Sequence, residues 1–216
     1  MILKPILDDG GLQRKIQPGD TVASGEIFPA AVATTATTIT GNILSAGWYN
    51  RNLAANGTDT VDTAANIIAA IAQGLGYSGV QPGTAWRFTV YNGAAFTDTV
   101  AAAANSGVTV NAGAIAASSV KEFIVTVVNG TPARTVSAAS SNASPVLTGI
   151  STADLAALSV GMVVTSNTVG LQGTTIISIN TAGNSITLSG NANATATVTP
   201  FFSPVIILQG IGQRAV

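Results

Sequence analysis

The chain has 216 residues, no cysteine and no histidine, and only 8% of its residues are charged, for a net charge of −1. The missing residue types exclude disulfides, Cys/His zinc sites, thiol nucleophiles and Ser-His-Asp triads, and leave an all-oxygen ligand set as the one remaining route to a metal. An average soluble domain is roughly 25% charged, so this surface must be built from Ser, Thr, Asn, Gly and Ala, with no basic stripe for nucleic acid and no polybasic patch for a membrane.

Such a surface offers little repulsion between neighbouring copies, which suits a protein packed in an assembly. The length allows one large or two small domains. Mean hydropathy is positive, yet every apolar run is broken by Thr, Asn or Gly before the roughly 18 residues a spanning helix needs. The first residues, MILKPILDDGG, place acidic groups where a signal peptide would be apolar, so the expected site of synthesis and use is inside a cell or something assembled there.

In chain order, residues 1–27 concentrate charge: Lys4, Asp8, Asp9, Arg14, Lys15, Asp20 and Glu26. Pro5, Gly10, Gly11 and Pro18-Gly19 argue against a long helix, so an extended arm is expected. Phe28 to Asn50 is rich in Ala and Thr and reads as edge strands or a linker, with Trp48 and Tyr49 as core anchors or contacts.

Asp59 to Gly76 holds the clearest helix, expected over 60–75. Ala64, Ile68, Ile71, Ala72 and Leu75 fall on one stripe, with Asp59, Thr60 and Asp62 as candidate caps and Gly74 and Gly76 as stops. Capping is the preferred reading of the Asp59/Asp62 pair over a metal or acid–base site.

Thr84 to Val136 is the organising stretch. Trp86, Phe88 and Val90 alternate with Arg87, Thr89 and Tyr91, the period-2 mark of a strand with one buried face. Asn92-Gly93 ends that run. Val108 to Val110, Val120 to Val128 and Arg134 to Ser137 read as further strands in an antiparallel series.

Residues Ser137 to Pro145 look like a linker. A compact unit over 146–200 follows. Ser151 and Asp154 resemble a capping box ahead of Leu155 to Leu158, and short β runs lie around Val160, Ile176, Ile186 and Thr197. The tail, 201–216, contains the apolar strand Val205-Ile206-Ile207-Leu208, expected to pair within its own chain or with a neighbour. The fold class is therefore all-β with one notable α-helix: a β-sandwich or jelly-roll body over 28–140 and a small β module over 146–200.

The helix TDTVDTAANIIAAIA, the strand TAWRFTVYNG and the stretch SGVTVNAGAIAASSVKEFIVTVVN occur here in succession. In this order they resemble virion proteins of tailed bacteriophages, above all head decoration (cement) proteins. Asn92, Gly107-Val108-Thr109, Ile115-Ala116-Ala117 and Phe123 to Asn129 occupy the matching places, over roughly Asn56 to Ser137. The second unit is similar to a small β module that recurs in phage structural proteins, departing from it at Ser166-Asn167 and Leu171-Gln172.

The resemblance implies a protein of the virion surface that binds the major capsid protein lattice as a homo-oligomer, a trimer being favoured, without nucleic acid, membrane or cofactor. Lys4, Arg14 and Lys15 in the arm, and Val205, Ile206, Ile207 and Leu208 in the tail, are the candidate inter-subunit contacts. The alternative for both ends is that they complete their own fold. A tail, fibre or adaptor protein touching a host receptor is the second functional reading, with Trp48, Tyr49, Tyr77 and Tyr91 as sugar-stacking candidates. An enzyme is not expected, because Asp98, Glu122 and Asp154 are scattered where a glycosidase needs two facing carboxylates. The Asn-X-Ser/Thr matches at Asn56, Asn129, Asn142 and Asn193 are assigned no function.

Overall fold

The computed structural model describes residues 34–75, 80–166 and 169–216. The body begins with β1 (Thr38–Ile39), α1 (Gly41–Ala46), β2 (Trp48–Arg51), β3 (Gly57–Val61) and α2 (Ala64–Leu75). It continues with β4 (Ala85–Asn92), β5 (Asp98–Ala102), β6 (Val108–Asn111), β7 (Ala114–Ile115) and β8 (Ser119–Asn129). A second unit holds β9 (Arg134–Thr135), β10 (Ala138–Ser140), β11 (Val146–Thr148), α3 (Thr152–Ala156) and β12 (Val163–Ser166). It ends with β13 (Ile176–Asn180), β14 (Ser185–Leu188), β15 (Ala196–Val198) and β16 (Phe201–Ser203), after which β17 (Val205–Ala215) returns to the body.

The fold is mostly β, with α2 the one long helix among the described residues. Two sheets form the body: a five-stranded sheet in the order β2-β4-β8-β17-β6 and a four-stranded sheet in the order β1-β3-β5-β7. The β4–β8 and β8–β17 pairs are antiparallel, as the alternating sequence suggested. The pairs β2–β4, β6–β17, β1–β3 and β3–β5 are parallel, however. The body is thus a mixed arrangement rather than the purely antiparallel series expected. Parallel neighbours need a crossover between them, and α2, lying in the connection from β3 to β4, is the longest element available for one.

The alternation in β4 puts Trp86, Phe88 and Val90 inside, against Phe123, Val125 and Val127 of β8 and Ile206 and Leu208 of β17. Ile67, Ile68 and Ile71 of α2 close the same core. Trp86 also donates its indole N–H to the carbonyl of Leu44, at 2.9 Å, which ties α1 to β4. Burying a side chain of this size stabilises by roughly 1.5–3 kcal/mol.

α2 starts at Ala64, later than expected, because Asp59 and Thr60 belong to β3. The cap is Thr63: its hydroxyl accepts from the Asn66 amide at 3.2 Å. Asp62 sits one residue outside and accepts from the Asn66 side chain at 2.8 Å. Asp59 is therefore corrected from a helix cap to an interior strand residue.

The second unit has its own core, with Leu147, Ile150, Leu155, Met162, Ile186 and Phe202 among its buried members, and among the described residues neither core borrows a side chain from the other. Its sheets run β13-β14-β11-β10-β15 and β12-β16-β9. Ser151 caps α3 as expected, accepting from the Asp154 amide at 3.0 Å. The first part of the stretch expected as a linker is a strand: β10 lies between β11 and β15, with Ala138 and Ser140 buried, and residues 141–145 form the turn that leads to β11. Small residues fit at Ala138 and Ser140 because the strand is closely flanked by its neighbours, while Ser137, Ala139 and Ser141 stay exposed. The unit accordingly begins near Arg134, and it is inserted between β8 and β17, which are direct partners.

Candidate functional site

Lys4, Arg14 and Lys15, and with them Tyr77, lie outside the described residues. The tail candidates are well placed. Val205, Ile206, Ile207 and Leu208 begin β17, and Ile206 through Gln209 are paired on both sides, with β8 and with β6. Ile206 and Leu208 are fully buried in the body core. These residues complete their own sheet and leave no free edge at that point for a strand from another copy. The β6 pairing stops at Gln209, while β17 runs on beside β8 to Ala215.

The face of the five-stranded sheet turned away from the core carries Tyr91, Thr89, Ile124, Thr126 and Ile207, all half-buried, with Arg87 exposed. None of these belongs to either core. Trp48 stacks on Tyr91 with ring centroids 6.5 Å apart and planes 19° from parallel. Glu122 pairs with Arg87 at 3.6 Å in a solvent-exposed bridge, the kind that contributes little to stability. Tyr49, by contrast, faces inward and packs on Phe88.

The second unit presents a different surface. Between Arg134 and Arg214 the only charged residue is Asp154. Asp154 is bound by Arg134 at 2.6 Å and by the Ser151 hydroxyl at 2.7 Å. The Ser151 hydrogen bond and the Arg134 guanidinium hold its carboxyl below the usual range. What remains on this unit is Ser, Thr, Asn, Gly and apolar side chains, including the exposed Val160 and Ile177.

Asn129 joins the two units. Its side-chain amide donates to the Ser159 hydroxyl at 2.9 Å and to the Val160 carbonyl at 3.0 Å, while its oxygen accepts from the Thr131 amide at 2.9 Å.

One arrangement carries no local signature in the sequence. Arg51, Asp59 and Asp98 come together from β2, β3 and β5, and all three are 0% exposed. Arg51 Nη2 donates to Asp59 Oδ1 and to the Thr35 carbonyl, both at 2.7 Å. Arg51 Nε lies 2.6 Å from Asp59 Oδ2 and 3.8 Å from Asp98 Oδ2. The Thr37 amide donates to Asp59 Oδ1 at 3.0 Å and the Thr99 amide to Asp98 Oδ1 at 2.8 Å. The Arg51 guanidinium also sits 5.3 Å from the centre of the Tyr49 ring.

Burial pushes the Asp59 carboxyl up to about 6, opposed by the Thr37 amide and Arg51 and reinforced by the charge of Asp98. Burial likewise raises Asp98, against the pull of Arg51. The Tyr49 hydroxyl is raised to about 12, by burial first and then by Asp59. The one hint of this cluster in the sequence is parity: Arg51 shares its strand face with Tyr49, Asp59 with Val61 and Asp98 with Val100, each partner buried. Among the described residues no three His, Cys, Asp or Glu side chains gather as a metal set.

Compared with protein-family models, curated proteins and solved structures, the chain matches none of them.

Proposed function

We propose that this chain is a virion structural protein: a capsid decoration, or cement, protein of the tailed-bacteriophage kind. It binds the outer surface of the major capsid protein lattice and stabilises the head by clamping neighbouring capsomers. It works by adhesion as a homo-oligomer, a trimer being favoured, without cofactor or reaction.

The observation that carries this reading is the charge-poor surface of the second unit, where the single carboxylate, Asp154, is already paired with Arg134. Dense packing of many copies on a shell is opposed by like-charge repulsion, and this surface supplies almost none. Contact energy comes from the half-buried apolar residues of the outer sheet face, Tyr91, Ile124 and Ile207, and from the hydroxyl and amide groups of the second unit. Each such contact is modest, and many acting together give firm attachment. The resemblance over Asn56 to Ser137 supports the same reading.

The test is co-sedimentation of the purified chain with capsids stripped of minor proteins, with bound copies counted per particle. A decoration protein saturates at on the order of hundreds of copies and raises the shell's melting temperature. A dozen or fewer, or no binding, would rule out the lattice role, and the smaller number would move the chain to the portal or tail. Light scattering after size-exclusion chromatography checks the trimer: a clean monomer at micromolar concentration argues against it.

A further inference from the structure

We infer that the buried Arg51–Asp59–Asp98 cluster is a proton-controlled latch on residues 34–38, the segment through which the preceding chain joins the body.

The charge count comes first. Among the described residues one guanidinium faces two carboxylates in a space closed to solvent. With both acids ionised the cluster holds one uncompensated negative charge, which is costly in a low-dielectric interior. One proton shared by the two acids makes it neutral. The geometry leaves a place for that proton: the Oδ2 atoms of Asp59 and Asp98 receive no hydrogen bond in line, and Arg51 Nε lies close to both. Among the described residues the other ionisable group against the cluster is the Tyr49 hydroxyl, which is raised to about 12 and so stays protonated throughout the titration of the two acids. The elevated Asp59 and Asp98 carboxyls agree with a proton being held near neutrality.

The cluster also determines what gives way. Arg51 holds the Thr35 carbonyl and Asp59 holds the Thr37 amide. Among the described residues the segment is also held by the Ala54 amide to the Thr34 carbonyl and the Thr60 amide to the Thr37 carbonyl, and it ends at Ile39, which is anchored in the core and accepts from the Asp62 amide. β1 is two residues long and sits at the edge of its sheet, paired among the described strands with β3 alone. Short edge elements open at the least free-energy cost. When the shared proton leaves, the cheapest way to hydrate the extra charge is to release residues 34–38, which are exposed, while Ile39 stays in the core; opening β3 or β5 would expose the core residues Val61 and Val100. The latch is therefore closed in mild acid and loosened above neutrality.

The experiment is amide hydrogen exchange on the full chain at about pH 5 and about pH 8, corrected for intrinsic rates. Protection of the Thr37 and Thr60 amides is expected to fall about tenfold at the higher pH, and their exchange is expected to be insensitive to low urea, whereas the Phe123 and Val125 amides in β8 follow global unfolding. In Asp98→Asn the surplus charge is gone and the tenfold difference disappears. Equal protection of Thr37 at both pH values, Thr37 exchange that follows urea as steeply as that of Phe123 and Val125, or a pH difference that survives in Asp98→Asn would overturn the latch. Should Asp98→Asn fail to fold, carboxyl carbon NMR titration of the unmodified protein decides: one of the pair titrating near 6 supports the latch, and both titrating in the ordinary aspartate range defeats it.

Discussion

Val205 stands directly opposite Asn129 on adjacent antiparallel strands, although the whole second unit lies between them in sequence. The unit therefore occupies a hairpin connection. Loop-closure entropy grows only with the logarithm of loop length, so a folded insert there costs little more than a long turn. Because the two cores are separate, replacing residues 131–203 by a short turn should leave a body that unfolds in one cooperative step. Its urea m-value should drop with the surface removed. An aggregated or strand-poor product would show that the body depends on its insert.

Asn129 is the polar joint between the units and is nearly buried. Asn129→Ala removes the donor to Ser159 and Val160 and the acceptor for Thr131 together. At about 1 kcal/mol for each bond lost without replacement, the expected cost is about 2–3 kcal/mol. Urea denaturation followed by tryptophan fluorescence and by far-UV circular dichroism should then give two midpoints instead of one, because the only tryptophans, Trp48 and Trp86, are both in the body.

Gly130 illustrates a different constraint. A Cβ there would overlap the carbonyl of Val80, whose amide donates to Gly130's own carbonyl at 3.2 Å. Gly130→Ala should cost about 3 kcal/mol, as overpacking against backbone does. At Gly149 the backbone has φ of 72° and nothing lies within 4 Å of a built Cβ. Only the left-handed conformation is penalised there, by about 1 kcal/mol. For a chain of this size each kcal/mol moves the melting temperature by roughly 2–4 °C, so thermal scans separate the two variants.

The parts of this fold legible in sequence are those governed by local pattern. The inward row Trp86, Phe88 and Val90 follows from strict alternation, and the α3 cap follows from Ser151 and Asp154 at their spacing. What escaped depends on long-range pairing. Nothing local in Val205 to Leu208 says whether its partner strands are in the same chain, and nothing local in Ser137 to Ser140 distinguishes a polar linker from a strand flanked by neighbours. The buried cluster was half-legible: Arg51, Asp59 and Asp98 each carry the parity of a buried apolar neighbour, but they come from three different strands, and only the fold shows that they meet. For Asp59 the acidic run before a helix favoured a cap, and tertiary pairing with Arg51 prevailed.

Ile206 and Ile207 are neighbours with opposite surroundings. Ile206 is 0% exposed in the body core, while Ile207 faces outward and is only half-buried. Ile206→Ala should cost about 2–5 kcal/mol, and Ile207→Ala less than about 1.5 kcal/mol. If the outer sheet face meets the capsid, Ile207→Ala should weaken co-sedimentation several-fold while its melting curve stays near that of the parent. Unchanged binding by Ile207→Ala together with Ile124→Ala would take the contact away from this face.

The buried carboxylates give the whole protein an unusual pH profile. Asp59 is raised from the ordinary 3.8 to about 6, and Asp98 is raised as well. The folded state therefore holds protons more tightly than the unfolded chain, so stability from these groups is fully present below about pH 4 and declines as pH rises toward about 6. For Asp59 the displacement corresponds to on the order of 3 kcal/mol in all, roughly half of it already gone at about pH 5. Asp154 has the opposite sign: its carboxyl is depressed, so its contribution is present above the ordinary aspartate value and lost as pH falls through its folded value. Together they place the maximum in mild acid. The urea midpoint should correspond to about 1–2 kcal/mol more stability near pH 5 than near pH 8, with the difference reduced or abolished in Asp98→Asn. A midpoint that rises toward pH 8 would mean that Arg51 compensates both charges and that the interior carries no strain.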